Sequence, residues 1–326
     1  MPQQPSGSRN IPEGDISRPG VPRISPTRSR RPRSITDSLL RIADHLQPRD
    51  YTLAHLLDEH RYLTTAQITS LMFSSPRTCR NRLDALRRLG FVDWFRPVLA
   101  SGRRLSVHWV PGPLSARYVA LSRGERPPSG KAVREQQDSR LSARHVGHND
   151  GVNQFGVDLL AFARAHPDAA LLRWWASART ASAINHNSRP DSHGVWREDG
   201  RLVAYFLEYD TGTESLTVLA RKVAAYRAVH AGGGPAWPVL FWLPSTLRET
   251  HLHKRLNGSA RGLLVATAAR DAAAEHGPAG PVWRLVGNGR RRLRLSELPC
   301  HMGQAGAYHP GPPIPTDDPL YHLHTD

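Results

Sequence analysis

Residues 189–226 constrain this chain more than any other stretch, reading RPDSHGVWREDGRLVAYFLEYDTGTESLTVLARKVAAY. A Pro190-Asp191 pair opens it, a charged turn from Arg197 to Gly200 follows, and an apolar run from Leu202 to Leu207 ends in Glu208 and Asp210. Side chains two apart in a strand share a face, so Glu208 and Asp210 point the same way. If the runs on either side of the turn pair as a hairpin, Asp191 lies beside them. A helical segment then carries Lys222 and, four residues on along the same face, Tyr226. Asp191, Glu208, Asp210 and Lys222 are therefore a candidate catalytic set. The three carboxylates are candidate ligands for a hard divalent cation, which takes oxygen donors and in turn draws phosphate. Carboxylates are costly to bury unless paired or metal-bound. The plainer alternative is a solvated strand end.

A formal charge of +16 over 326 residues points to a polyanionic partner, most often nucleic acid. The excess is nearly all arginine, as a GC-rich genome favours, and the lysines are only Lys131, Lys222 and Lys254. Two cysteines, Cys79 and Cys300, exclude a disulfide framework and a cysteine zinc site, which fits a reducing cytoplasm. No apolar signal core opens the chain and no run reaches transmembrane length.

Residues 1–34 are rich in Pro, Ser, Gly and Arg and too poor in apolar residues to offset ordering entropy, so they read as a disordered basic arm. Residues 35–121 read as one domain. Helical spacing runs over Ile35–Leu46 and Tyr51–His60, then Thr64 caps a short helix to Met72. Ser75-Pro76 starts a helix that stops at Gly90, with Cys79, Leu83, Leu86 and Leu89 on one stripe. Arg77, Arg80, Asn81, Asp84 and Arg88 fall on the opposite side. Two strand-like pieces, Phe91–Val98 and Leu105–Val110, flank a turn holding Arg103 and Arg104. Helix, helix, turn, helix and a basic hairpin is the pattern of a winged helix-turn-helix. The helix from Pro76 would enter the major groove of double-stranded DNA, with Arg and Asn81 reading bases. Arg103 and Arg104 would lie near phosphate or the minor groove. A helical subdomain with a solvated face is the alternative, and winged helices also dock proteins.

The polar stretch 122–140, with Pro127-Pro128 and Gly130, reads as a linker. In 141–298 the order is helix, three strands, helix, strand, helix, strand, with a late hairpin: an α/β sandwich around a mixed sheet, α+β overall. His145-x-x-His148 with Asn149 and Asp150 reads as helix capping rather than a metal pair, and Thr211-x-x-Glu214 as a capping box. Residues 299–326, dominated by Pro, Gly and His, read as a disordered tail.

The Pro-Asp on the second strand and the acidic pair on the third resemble the PD-(D/E)xK nuclease superfamily, whose restriction-endonuclease-like fold has this element order. The resemblance implies that Asp191 and Glu208 bind magnesium and that a lysine positions the attacking water. Asp210 stands where that lysine is usual. Some members carry it on the following helix, where Lys222 lies. Across Tyr51–Val286 the chain also resembles the replication-relaxation family of actinobacterial and other Gram-positive plasmid-borne or mobile-element proteins. The resemblance rests on LLDEHRYLTTAQITSLMF, RTCRNRLDALRRLGFV, HVGHNDGVNQF, and FLEYDTGTE with RKVAAY. It implies a role in plasmid replication or DNA topology. Three readings follow: a DNA-binding protein of mobile-element replication, a magnesium-dependent endonuclease, and a transcription regulator with an assembly domain. The partners implied are double-stranded DNA and either a second copy of the chain or replication and transfer proteins.

Overall fold

The protein is described by a computed structural model, covering residues 35–98, 102, 104–140, 143–184, 188–257, 262–287 and 290–321. The basic arm and Arg103 lie outside the described residues. Helices α1 (Ile35–Ala43) and α2 (Pro48–His60) lead into a two-residue strand β1 (Leu63–Thr64). Helix α3 (Thr65–Met72) begins at a capping box in which the Thr64 side chain accepts from the Gln67 N–H and Gln67 reaches back to the Thr64 N–H. Helix α4 (Pro76–Arg88) starts on Ser75, whose hydroxyl accepts from the Thr78 N–H. It ends at Gly90, whose φ of 73° a side chain would disfavour. Strands β2 (Val92–Phe95) and β3 (His108–Pro111) pair antiparallel, and β1 joins the other edge of β3, giving the order β1-β3-β2. Helix α5 (Pro113–Ser122) packs back on α2.

The stretch expected to be a linker contains helix α6 (Gly130–Arg140). Local composition gives it little apolar surface, but Val133 is buried and Gln137 donates to the Pro111 carbonyl, so contacts with the preceding unit set its structure. Helix α7 (Ala143–Ala165) is followed by β4 (Ala170–Ala176), a short helix α8 (Ser177–Ala183), β5 (Ser192–Glu198) and β6 (Arg201–Tyr209). Then come α9 (Leu216–Ala231), β7 (Val239–Leu243), α10 (Thr246–Leu256), β8 (Val265–Ala269), α11 (Arg270–Ala273), β9 (Trp283–Leu285) and β10 (Arg292–Leu293). The seven strands form one mixed sheet in the order β10-β9-β8-β7-β6-β5-β4, with β6, β7 and β8 parallel and the remaining pairs antiparallel. The architecture is mixed α/β.

Strand alternation decides which face each side chain serves. Val203, Tyr205 and Leu207 of β6 join a core with Val152, Phe155 and Leu159 of α7. Ala204 and Phe206 join a second core with Val223 and Tyr226 of α9. Glu208 continues this second row. The α7 core also takes in Leu53, Leu57 and Ile68, so apolar packing runs without a break from the N-terminal helices into the sheet body.

Within the tail expected to be disordered, residues 299–321 are described and pack back on the sheet body. Their anchor is Arg173 on the edge strand β4, side chain 2% exposed, which donates to Asp317 at 2.7 and 2.9 Å and to the carbonyls of Gly311 and Pro312 at 3.0 and 2.9 Å. A buried guanidinium needs such acceptors, and the tail supplies them.

Candidate functional site

Two regions hold the residues singled out from sequence. The first is the outer face of α4. Cys79, Leu83 and Leu86 are buried against α3 and the sheet, while Arg77, Arg80, Asn81, Asp84 and Arg88 are exposed. No hydrogen bond or ion pair joins Arg77, Arg80 or Arg88 to another described residue, so their guanidinium donors face solvent. Arg82 differs: it turns inward onto the buried Asp50 carboxylate and the His45 carbonyl, pinning α4 to α2. Arg87, which the sequence reading did not single out, lies 5.3 Å over the Trp94 ring of β2 and 3.8 Å from Asp93. Arg104, exposed, forms an antiparallel bridge with Val98 beyond the β2–β3 pair.

The second region is the acidic strand end. The β5–β6 pairing sets Ser192 against Leu207, and the Asp191 N–H donates to the Leu207 carbonyl at 3.0 Å, so Asp191 does lie beside the end of β6. Glu208, side chain 3% exposed, accepts from Lys222 Nζ at 2.9 Å and from the Tyr226 hydroxyl at 2.5 Å. Lys222 also reaches Glu214 at 3.2 Å. Burial and the neighbouring Asp191 charge raise the Glu208 carboxyl to about 7, more than Lys222 and Tyr226 offset. Burial works to lower Lys222, and the Glu208 and Asp191 carboxylates outweigh it, so the amine is held above its ordinary range.

Asp210 faces the same side as Glu208 but is clamped through both oxygens by Arg248 of α10, which also donates to the Glu214 carbonyl. The sequence offered no signal for Arg248, one of many arginines and 38 residues away. Asp191 Oδ2 accepts from the Tyr209 N–H at 2.8 Å and pairs with His148 Nε2 at 3.2 Å. Burial would lower His148, but the hydrogen bond and charge of Asp191 carry it above its usual value. His148 is thus inside α7, not a cap, and belongs to the acidic site. The capping box expected at Thr211 is also absent: Ser215 caps α9, and Glu214 pairs with Lys222. Gly151, one turn of α7 beyond His148, has no room for a side chain, since a Cβ would sit 2.0 Å from the Tyr209 ring.

The arrangement does not fit a magnesium ion as it stands. Both Glu208 oxygens and both Asp210 oxygens are taken by protein donors. Among the described residues no three His, Cys, Asp or Glu side chains group so as to hold a metal. What the site can do in this geometry is hold charge: carboxylates, a lysine, an arginine and a histidine neutralise one another at a strand end.

Most of both regions falls within residues 55–240, which match the replication-relaxation family model and make up more than half of the chain. The chain belongs to the replication-relaxation family. The match takes in α3, α4, the β2–β3 pair, α7, β4 to β6 and α9, and so every candidate residue from Arg77 to Lys222, but not Arg248. No curated protein and no solved structure matches the chain. No helix among the described residues is long and apolar enough to cross a membrane.

Proposed function

We propose that the protein binds duplex DNA in the replication or relaxation of a plasmid or mobile element. The N-terminal unit acts as a winged helix with α4 in the major groove. The sheet body, a nuclease-like α/β sandwich, grips the DNA without cutting it. The observation that supports this reading is the face of α4, where Arg77, Arg80 and Arg88 stand exposed with no hydrogen-bond or ion-pair partner among the described residues, beside Asn81. Arginines with free donors suit phosphate oxygens and guanine edges. Family membership supports the biological role, and the charge of +16 supports a polyanionic partner.

The test is incubation of the protein with supercoiled plasmid, with and without magnesium, beside duplex-binding titrations over a range of salt. Salt-dependent binding without nicking is the expected result. The convergence of Asp191, Glu208 and Lys222 favours a second reading, a magnesium-dependent endonuclease. Nicking that needs magnesium and disappears in Asp191→Ala and Glu208→Ala would replace the first reading with it. Binding confined to the protein's own promoter would favour a transcription regulator instead.

A further inference from the structure

The outer layer formed by α9 and α10 carries a charge pattern that neither α4 nor the strand end uses. Between Ser215 and Arg270 the sequence holds one carboxylate side chain, Glu249, amid repeated arginines and lysines. An arginine-rich composition adds cations everywhere but does not remove acids, and the chain has 28 of them. Glu249 is turned inward, 2% exposed, and accepts from Arg292 of β10 and from the Thr267 hydroxyl of β8. The carboxylates flanking the stretch are held as well. Glu214 reaches Lys222 at 3.2 Å, and Asp271 accepts from the Thr246 N–H at 3.1 Å.

Arg221 and Arg227 of α9 and Lys254 and Arg255 of α10 are exposed. None of the four makes a hydrogen bond or ion pair with another described residue. Arg221 and Arg227 stand about 9 Å apart along the helix axis, at the usual rise per residue. Ala224 and Ala228, small and exposed, lie beside them, so the guanidinium groups stand clear of the surface. The two helices follow the parallel strands β6 and β7, and right-handed crossovers put both on one face of the sheet. They pack against each other and share the second core through Val223 and Leu252. Packed helices lie about 8–10 Å apart, so the four cations form one patch. Neither helix contains Asn or Gln, so the patch offers charge for phosphate and no amide to read adenine.

The position of the patch separates it from the outer face of α4. The N-terminal unit packs through α3 onto α7, which covers the opposite face of the sheet. Duplex DNA is stiff, with a persistence length of about 150 bp. A segment lying along α4 therefore reaches the α9–α10 face only by bending sharply around the sheet body. A second segment reaches it without bending.

We propose that the outer face of α9 and α10 is a second DNA-binding surface, which holds the phosphate backbone of a second duplex segment while α4 holds the first. One molecule then bridges two segments. Backbone contacts alone make this surface the weaker of the two, indifferent to sequence and sensitive to salt. The inference rests on the reading of duplex DNA as the partner, and none of its residues lies on α4.

The experiment is a bridging assay with the full chain. One short duplex is fixed to beads, and capture of a second, fluorescent duplex by bound protein is measured at low salt. The wild type captures it. Arg221→Gln/Arg227→Gln/Lys254→Gln/Arg255→Gln lowers capture at least tenfold, while its melting temperature and its affinity for a single duplex at low protein concentration stay within twofold of the wild type. Arg221→Lys/Arg227→Lys/Lys254→Arg/Arg255→Lys, which keeps the charge, retains capture. Unaltered capture in the glutamine variant, or no capture by a wild type that binds a single duplex, would overturn the proposal and leave the α4 reading standing. A wild type that binds no duplex at all would overturn both. Capture lost in the glutamine variant, with single-duplex affinity unaltered in Arg77→Ala/Arg80→Ala/Arg88→Ala, would support this surface and remove α4 from the account.

Discussion

The outer face of α4 and the end of β6 are both dense in charge, and they use it in opposite ways. On α4, Arg77, Arg80 and Arg88 stand exposed with no hydrogen-bond or ion-pair partner among the described residues. At the end of β6 Glu208 and Asp210 are buried and Asp191 is half-buried, and each is matched to a cation or donor: Glu208 to Lys222 and Tyr226, Asp210 to Arg248, Asp191 to His148. Exposed charge contributes little to folding and remains free for a partner. Buried, paired charge contributes little net stability but becomes strongly destabilising when one partner is removed. Charge content alone therefore does not mark a binding surface. The contrast also explains why the strand-end cluster, which looks like a metal site in sequence, is closed in the fold.

Removing one partner on the buried side gives the largest expected effect. Arg248→Ala leaves Asp210, 1% exposed, without its guanidinium and should cost about 3–5 kcal/mol of stability by denaturant unfolding, with duplex affinity unchanged at a temperature where the variant is folded. A loss below about 1 kcal/mol would place Asp210 among ordinary surface charges and erase the contrast.

Next is the pH dependence of Glu208. Its carboxyl is raised in the folded state from an ordinary 4.5 to about 7. The folded protein therefore holds a proton that the unfolded chain releases, and stability falls as pH rises through that window. At ~1.4 kcal/mol per pH unit the fall is on the order of 2–3 kcal/mol. Glu208→Gln should remove it, leaving Lys222 with Glu214. Parallel stability curves for the two proteins between pH 4.5 and 7 would show that Glu208 is ionised throughout.

Gly151→Ala should cost about 1–3 kcal/mol, because the added carbon meets the Tyr209 ring and something must shift. Its melting temperature should drop while α4 still binds duplex. The smallest effect is expected at Arg104: Arg104→Ala should weaken duplex binding only a few-fold and reduce the salt slope by about 0.9, the share of one phosphate contact.

Much of this could be read from local pattern. Pro76 and Gly90 marked the ends of α4, and the apolar stripe with Cys79 and Leu83 gave its buried side, since both signals lie within one helix. The alternation from Leu202 to Asp210 placed Glu208 and Asp210 on one face, and the charged turn gave the hairpin that brings Asp191 alongside. Partners set by long-range packing were not legible. The His148–Asp191 pair spans 43 residues, and the Asx-rich context of His148 resembles a helix cap. The tail looked disordered because its anchor, Arg173, lies 144 residues before Asp317. Helix α6 was missed for the same reason: its own sequence is polar, and Val133 and Gln137 are held by neighbours.

Duplex affinity measured by fluorescence anisotropy, across a salt series, for Arg77→Ala/Arg80→Ala/Arg88→Ala against the wild type tests the free-donor surface most directly. The expected outcome is a loss of at least ~100-fold and a salt slope shallower by about 3, roughly 0.9 for each phosphate contact removed, with the melting temperature unchanged. Equal affinity and equal slope in the two proteins would mean that α4 does not meet DNA.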